Sequence, residues 1–420
     1  MAKKKEDWGA IRFEAGQLFT PSTPIAVAEF FSGRTKEIDQ LFEAVAERGR
    51  HAILFGERGV GKTSLSQVIQ LMLPRGIRQV HHIRKAADPS DNFTSIWRKV
   101  FRDIQITVDI DGKPTRVPIV DLYTGREITP DDVVRELSSF NQNDIPIIVI
   151  DEFNEITDAD TPKLMANTIK ALSDDGVNAT VIVVGVADNV NDLIGGHESI
   201  NRCCEEVLMP RMKQDELKEV IEKRVAYLNM QIEGNAKWKI INLSKGLPAF
   251  VHGLGKFSCY AAIDRQRPII MEEDVDNAID TILESSQQSL KQAFEVAVKS
   301  NQPTAKFRHV LTACALAKTD ESGFFTQTAV RDPLSSMLGR NVEIGHLRPQ
   351  LHELIEEKRG GVIERVGEER GYRYRFSDPA MQPYVIMAGI KAGILTERAK
   401  SALSSQSDLF ANEPSRLSSQ

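Results

Sequence analysis

The sequence is poor in cysteine, carries no excess of positive charge and contains no long hydrophobic run. The four cysteines among its 420 residues show no paired spacing of the zinc type. Cys203 and Cys204 are adjacent, too close to act as two ligands of a conventional structural site, so reduced, buried thiols are the expected state. The longest apolar run, Val181–Ala187, is far too short to cross a bilayer. Met1 to Trp8 is Lys-rich but lacks the apolar stretch of a signal peptide. A soluble, cytoplasmic protein is therefore expected, with no membrane partner. The net charge of −6 gives no global sign of a nucleic-acid binder, so any basic surface has to be local.

A chain of this length exceeds one ordinary core. Residues 1–32 read as an N-terminal arm, with Pro21 and Pro24 punctuating an extended entry. From Thr35 the apolar residues Ile38, Leu41, Phe42 and Val45 recur at helical spacing. His51–Phe55 and Gln79–Ile83 read as strands. Lys62–Leu73 and Asp91–Ile104 read as helices, the second capped by Ser90 or Asp91. Gln105–Val120 alternates apolar and polar residues around Asp111-Gly112, a hairpin signal whose acidic tip favours a structural insertion over a phosphate-tracking loop. Pro146–Ile150 and Ala179–Gly185 are apolar strands of the kind buried on both faces of a parallel sheet.

Strands alternating with helices predict an α/β fold, a three-layer domain with a parallel sheet over residues 33–212. The period then turns helical, predicting a helical lid domain over 213–290. Residues 291–395 read as three helices followed by the strands Val362–Val366 and Tyr372–Phe376, the order of a C-terminal winged helix. Residues 396–420, rich in Ser and Gln, read as a disordered tail.

Gly56-Glu57-Arg58-Gly59-Val60-Gly61-Lys62-Thr63 fits the phosphate-binding pattern G-x-x-x-x-G-K-[ST] in full. Glycines let the backbone curl so that successive N–H groups point at phosphate oxygens. Lys62 then reaches the β- and γ-phosphates, Thr63 offers its hydroxyl to Mg²⁺, and the helix running on through Ser64 adds its positive dipole end. About ninety positions downstream, Ile147-Ile148-Val149-Ile150 runs into Asp151-Glu152. Asp151, at the carboxyl end of a buried strand, is placed to hold the Mg²⁺ shell, and Glu152 to orient and deprotonate an attacking water. Together these signals predict a P-loop NTPase fold, with ATP and Mg²⁺ as cofactors.

With these motifs the sequence resembles the AAA+ ATPases, and within them the initiator-like group of origin-recognition and transposon target-selection proteins. The resemblance covers roughly Phe31–Ile263. It implies that Gly33 and Arg34, in Phe31-Ser-Gly-Arg-Thr-Lys-Glu37, belong to an entry segment lying against the adenine. It also implies a polar sensor after strand Val181–Gly185, either Asn189 or Asp188, with Asn189 favoured because its amide can donate. Arg202, in His197-Glu-Ser-Ile-Asn-Arg202, resembles an arginine finger presented to a neighbouring subunit, with Arg211 a second candidate; Arg202 tied to Glu205 or Glu206 is the competing reading.

One stretch departs from the initiators. Gly246-Leu247-Pro248 lacks the Arg expected in the following helix and resembles the STAND signalling ATPases, whose proline rests near the base. His252 or Lys256 could replace the missing cation, or His252 is a buried core histidine.

Between Lys291 and Lys400 there are 17 Lys and Arg against 13 Asp and Glu, and the expected wing carries Arg365, Arg370, Arg373 and Arg375. Two functions follow. One is an ATP-hydrolysing, initiator-like protein that forms ATP-dependent homo-oligomers on double-stranded DNA, which it reads through the winged helix. The other is a slow STAND-like regulatory or antiviral-defence switch whose winged helix docks an effector or regulatory protein.

Overall fold

Apolar strands with helices between them have one good solution, a sheet covered on both faces. The computed structural model describes residues 7–21, 32–72, 79–110, 112–140, 144–195, 200, 202–300, 306–368 and 371–405. It divides into two compact units, Pro24–Pro210 and a second made of Met1–Thr23 with Arg211–Gln420.

The chain opens with α1 (Trp8–Leu18), which belongs to the second unit. The first unit then runs α2 (Thr35–Ala46), β1 (His51–Gly56), α3 (Lys62–Met72), β2 (Gln79–Ala86), α4 (Phe93–Asp103), β3 (Gln105–Ile110), β4 (Lys113–Pro118), α5 (Pro130–Ser138), β5 (Asp144–Asp151), α6 (Thr161–Asp174), β6 (Thr180–Val186), α7 (Val190–Ile194) and β7 (Cys204–Leu208). Its sheet has the order β2-β5-β6-β1-β7, every neighbouring pair parallel. This order sets β6 between β1 and β5, and the register brings Gly56 opposite Val186 and Ala86 opposite Asp151. The carboxyl ends of the strands therefore collect the phosphate loop and the acidic pair. β3 and β4 form a separate antiparallel hairpin, as the Asp-Gly pair predicts.

Local chemistry fixes the edges of these elements. α4 begins two residues later than expected, because Asp91 is buried and paired with Lys99 at 2.5 Å. Asn92 caps instead, its Oδ1 accepting from Ser95 N at 2.9 Å. Phe93, Trp97 and Phe101 of α4 then pack with Tyr123 as a row of tilted rings, centroids 5.5–6.2 Å apart.

The second unit continues with α8 (Gln214–Tyr227), β8 (Gln231–Ile232), α9 (Gly234–Ser244), α10 (Pro248–Asp264), β9 (Ile269–Ile270), α11 (Glu272–Ser285), α12 (Gln288–Val298), α13 (Phe307–Leu316), α14 (Gln327–Leu338), α15 (Ile344–Ile355), β10 (Ile363–Val366), β11 (Arg373–Phe376), α16 (Met381–Lys391) and α17 (Glu397–Leu403). α13 to α15 followed by the antiparallel β10–β11 hairpin, with Phe325 bridging Tyr374, make a winged helix. The helical lid and this winged helix, expected as separate domains, share one continuous core.

Both chain ends differ from expectation. The N-terminal arm is not wholly extended: α1 packs on α10, with Phe19 against Gly255 and the Leu18 carbonyl accepting from the buried Arg224 at 3.0 Å. The segment 22–31, with Pro24, lies outside the described residues. The expected tail from 396 carries α17, because Thr396 caps it and Leu403 is fully buried. Asn242 Nδ2 donates to the carbonyls of Leu403 and Ser405 at 2.8 and 3.0 Å. Residues 406–420 lie outside the described residues.

Two buried histidines make stability depend on pH. His51 Nδ1 accepts from Val181 N at 3.0 Å, and burial lowers its pKa to about 4. His252 Nδ1 accepts from Thr20 N at 3.0 Å; burial, with the nearby charge of Arg224, lowers it to about 3. Both are neutral in the fold, whereas the unfolded chain takes up their protons below about pH 6.5. Stability is therefore fully present above about pH 6.5 and falls as pH drops below it. The slope approaches about 1.4 kcal/mol per pH unit for each histidine. Denaturant unfolding between about pH 6.5 and pH 5 should show this loss, and His252→Gln should flatten it; an unchanged slope in that variant contradicts the account.

Candidate nucleotide site

The phosphate loop leaves β1 at Gly56, whose φ of 142° only glycine adopts readily. A Cβ there would stand 2.5 Å from the Met209 carbonyl oxygen, just beyond β7. Close packing of the loop against that backbone thus requires glycine at the first motif position. Lys62 opens α3 and is 8% exposed. Its Nζ donates to the carbonyls of Gly56 and Glu57 at 2.9 and 2.7 Å, so the ammonium closes the loop on itself. Burial lowers its pKa to about 8, while the charge of Asp151 acts in the opposite direction. Arg58 and Gly59 are exposed at the loop tip, Val60 is buried beneath it, and Glu57, Gly61, Thr63 and Ser64 are half-buried.

Asp151 ends β5 and is 2% exposed. Its Oδ2 accepts from the Thr63 hydroxyl at 2.9 Å, so the two predicted magnesium-side residues meet although 88 positions separate them. Its Oδ1 accepts from the Glu152 amide at 2.9 Å. A hydroxyl and a carboxylate, both hard oxygen donors, suit Mg²⁺ held mainly by nucleotide phosphates and water. Glu152, just past the strand end, adopts a left-handed conformation (φ 56°) and is exposed.

Two residues missed in the sequence complete this corner. Arg84, on β2, donates to Asp151 Oδ2 from Nε at 3.2 Å and from Nη2 at 2.5 Å. Asn154 Oδ1 accepts from Val186 N at 2.8 Å, tying the turn after Glu152 to the end of β6. Neither belongs to a contiguous motif. Only the alignment of β2 beside β5 could have pointed to Arg84.

Gly33 and Arg34 both take left-handed conformations before α2. Arg34 is 3% exposed, and its Nη2 donates to the carbonyls of Val60 and Pro210 at 3.1 and 2.6 Å. Its guanidinium therefore braces the underside of the phosphate loop.

Residues 24–250, more than half of the chain, match the family described as novel STAND NTPase 1. The chain belongs to this STAND NTPase family. No curated protein matches it. Among solved structures, the Walker-type ATPase PABY2304 of Pyrococcus abyssi is 18% identical, covers 88% of this chain and 99% of its own, and has a TM-score of 0.50. The Aeropyrum pernix ORC1 protein, solved in complex with DNA, is 14% identical over 90% of this chain and 97% of its own, with a TM-score of 0.45. Aeropyrum pernix ORC2 is 15% identical over 91% and 99%, with a TM-score of 0.48. These identities speak to fold alone. The fold is that of a P-loop NTPase.

In this STAND NTPase the remaining predicted residues fall into several settings. Asn189 caps α7: its Oδ1 accepts from Asp192 N at 3.1 Å and its Nδ2 donates to Asp192 Oδ2 at 2.7 Å. A sensor role would require that cap to open. Asp188 is exposed beside it. Arg202 is exposed just before β7, while His197 and Asn201 lie outside the described residues. Glu205, its suggested local partner, instead accepts from Arg50 at 2.7 Å and Gln40 at 3.0 Å.

Arg211, the second finger candidate, is buried in the other unit, where it bonds Gln382 and the Lys245 carbonyl. That environment gives it a structural role. Pro248 opens α10 in that same unit, preceded by Gly246, where a Cβ would meet Arg211 Cβ at 2.6 Å. His252 is a buried, neutral acceptor and does not supply the missing lid cation.

The brace predicts a measurable effect. Arg34→Ala leaves the Val60 and Pro210 carbonyls without this donor and strips the buried Glu37 of its cation, 3.7 Å away. It should destabilise the Pro24–Pro210 unit by about 2 kcal/mol or more and weaken nucleotide binding. Denaturant unfolding with a fluorescent nucleotide titration checks this; an unchanged midpoint contradicts it.

Proposed function

We propose that this protein is a slow, MgATP-driven switch whose nucleotide state controls assembly with copies of itself and docking of an effector or regulatory protein. The observation that carries the proposal is the convergence of Lys62, Thr63 and Asp151 behind a closed phosphate loop, within a family of STAND NTPases. The amides of Gly56–Ser64 cradle the phosphates, and Lys62 turns from its own loop carbonyls to the β- and γ-oxygens. Thr63 and Asp151 hold Mg²⁺, which when bound neutralises charge on the phosphates. Glu152 orients and deprotonates the attacking water. Gly33 and Arg34 set the loop from below, and Pro248 is the residue that the STAND resemblance assigns to the base. Asn189, or Asp188 beside it, reads the γ-phosphate, and Arg202 reaches the site of a neighbouring copy.

The wing favours a protein over double-stranded DNA as the partner. Arg373 pairs with Asp320 at 3.1 Å and packs over Phe324, while Arg375 pairs with Glu364. These acids offset the charge of two wing arginines and so lower the positive potential that a phosphate backbone would meet. Arg365 stacks on Tyr372, and Arg370 lies outside the described residues. Among the described residues no helix is long and apolar enough to cross a membrane.

ATPase rate and particle size, measured with and without duplex DNA, test this reading. Glu152→Gln should bind ATP while losing about a hundredfold or more in turnover. Arg202→Ala should lose about a thousandfold at unchanged ATP affinity. Assembly should appear with ATP, not with ADP, and ignore DNA. Equal assembly in both nucleotides contradicts the switch, and DNA-stimulated turnover contradicts protein docking.

A further inference from the structure

Asp151 does not wait empty-handed for its metal. A single oxygen, Oδ2, accepts from the Thr63 hydroxyl and from two nitrogens of Arg84, while Oδ1 is taken by the Glu152 amide. The guanidinium comes from β2, at the register position opposite Val149, and meets the carboxylate at the end of the next strand. We propose that Arg84 is a resident counter-cation that holds the metal-side carboxylate in the nucleotide-free state and is displaced when Mg²⁺ arrives with nucleotide. The proposal rests on the reading of Thr63 and Asp151 as the magnesium side of an ATP site, and adds a competitor to it.

Asp151 is 2% exposed, and a buried carboxylate without a cation or donors is costly, so a lone Asp151 would destabilise the nucleotide-free fold. Arg84 removes that cost with a two-nitrogen, charge-assisted contact. A guanidinium and a divalent cation on the same Oδ2 repel one another across a few ångströms, so each weakens the other's hold. The Arg84 side chain is 27% exposed, so it can leave towards water without becoming a buried, unpaired charge.

Magnesium binding at this site is thus an exchange of one cation for another. The metal has to outcompete an internal ligand, which raises the magnesium needed for tight nucleotide binding. Free Mg²⁺ alone, without phosphates to add ligands, should not displace the arginine.

The test uses the full chain and two readouts that do not depend on turnover. The first is the Mg²⁺ concentration giving half-maximal binding of a methylanthraniloyl-labelled ATP. The second is the melting temperature without nucleotide, with and without Mg²⁺. Arg84→Gln should lower the half-maximal Mg²⁺ about tenfold or more, and its nucleotide-free melting temperature should fall and be restored by Mg²⁺ alone. Wild type should show no such rescue. Arg84→Lys, which keeps the charge but not the two-nitrogen contact, should fall between them and serves if the glutamine variant does not fold.

In an Asp151→Asn background, replacing Arg84 should change neither readout. An unchanged Mg²⁺ requirement in both Arg84 variants, with nucleotide binding intact, overturns the inference alone. Failure of wild type to bind the labelled ATP at saturating Mg²⁺ overturns the proposed function, and the inference with it.

Discussion

The close approach of Gly56 to the Met209 carbonyl governs the architecture of the nucleotide site. It presses the phosphate loop against the backbone that follows the edge strand β7, and Met209 N in turn donates to Phe55 O at 2.8 Å. The loop is then pinned from below by Arg34, which joins Val60 to Pro210. Within that loop the Lys62 ammonium turns back to the carbonyls of Gly56 and Glu57. The parallel sheet order does the rest. It sets Asp151 two strands away from β1, at the distance from which the Thr63 hydroxyl can reach it.

The same corner shows how the fold tolerates buried charge. Lys62 is satisfied by two carbonyls, and Asp151 by a hydroxyl, an amide and a guanidinium. Under the proposed function, a nucleotide with its metal would replace the two carbonyls on Lys62 and the guanidinium on Asp151. Binding would then exchange internal contacts for external ones, with a net affinity set by the difference between two well-satisfied states.

Much of this was legible in the sequence, for definable reasons. The loop and the Ile150-Asp151-Glu152 end are contiguous, and apolar runs buried on both faces leave no doubt about strands. The Asp-Gly hairpin and the three helices with a wing follow from equally local signals. What was illegible depends on partners far along the chain. Arg84 belongs to no local motif, and only the alignment of β2 beside β5 brings it to Asp151. Arg34 looked like part of an adenine-facing entry, yet its guanidinium is absorbed by two distant carbonyls. Arg211 and His252 had the chemistry of a finger and a lid cation, but burial gave them structural work instead. The helices at the two chain ends are short, and their packing partners, α10 for the first and Asn242 for the last, lie far along the chain.

The most direct test of the account is calorimetric titration of MgATP into the full chain and into Lys62→Ala. One nucleotide per wild-type chain is predicted, with affinity weakened about a hundredfold or more, about 2.7 kcal/mol, in the variant. Equal affinity for both proteins, or no heat of binding to the wild type, would contradict the claim that the Gly56–Thr63 loop is a nucleotide site.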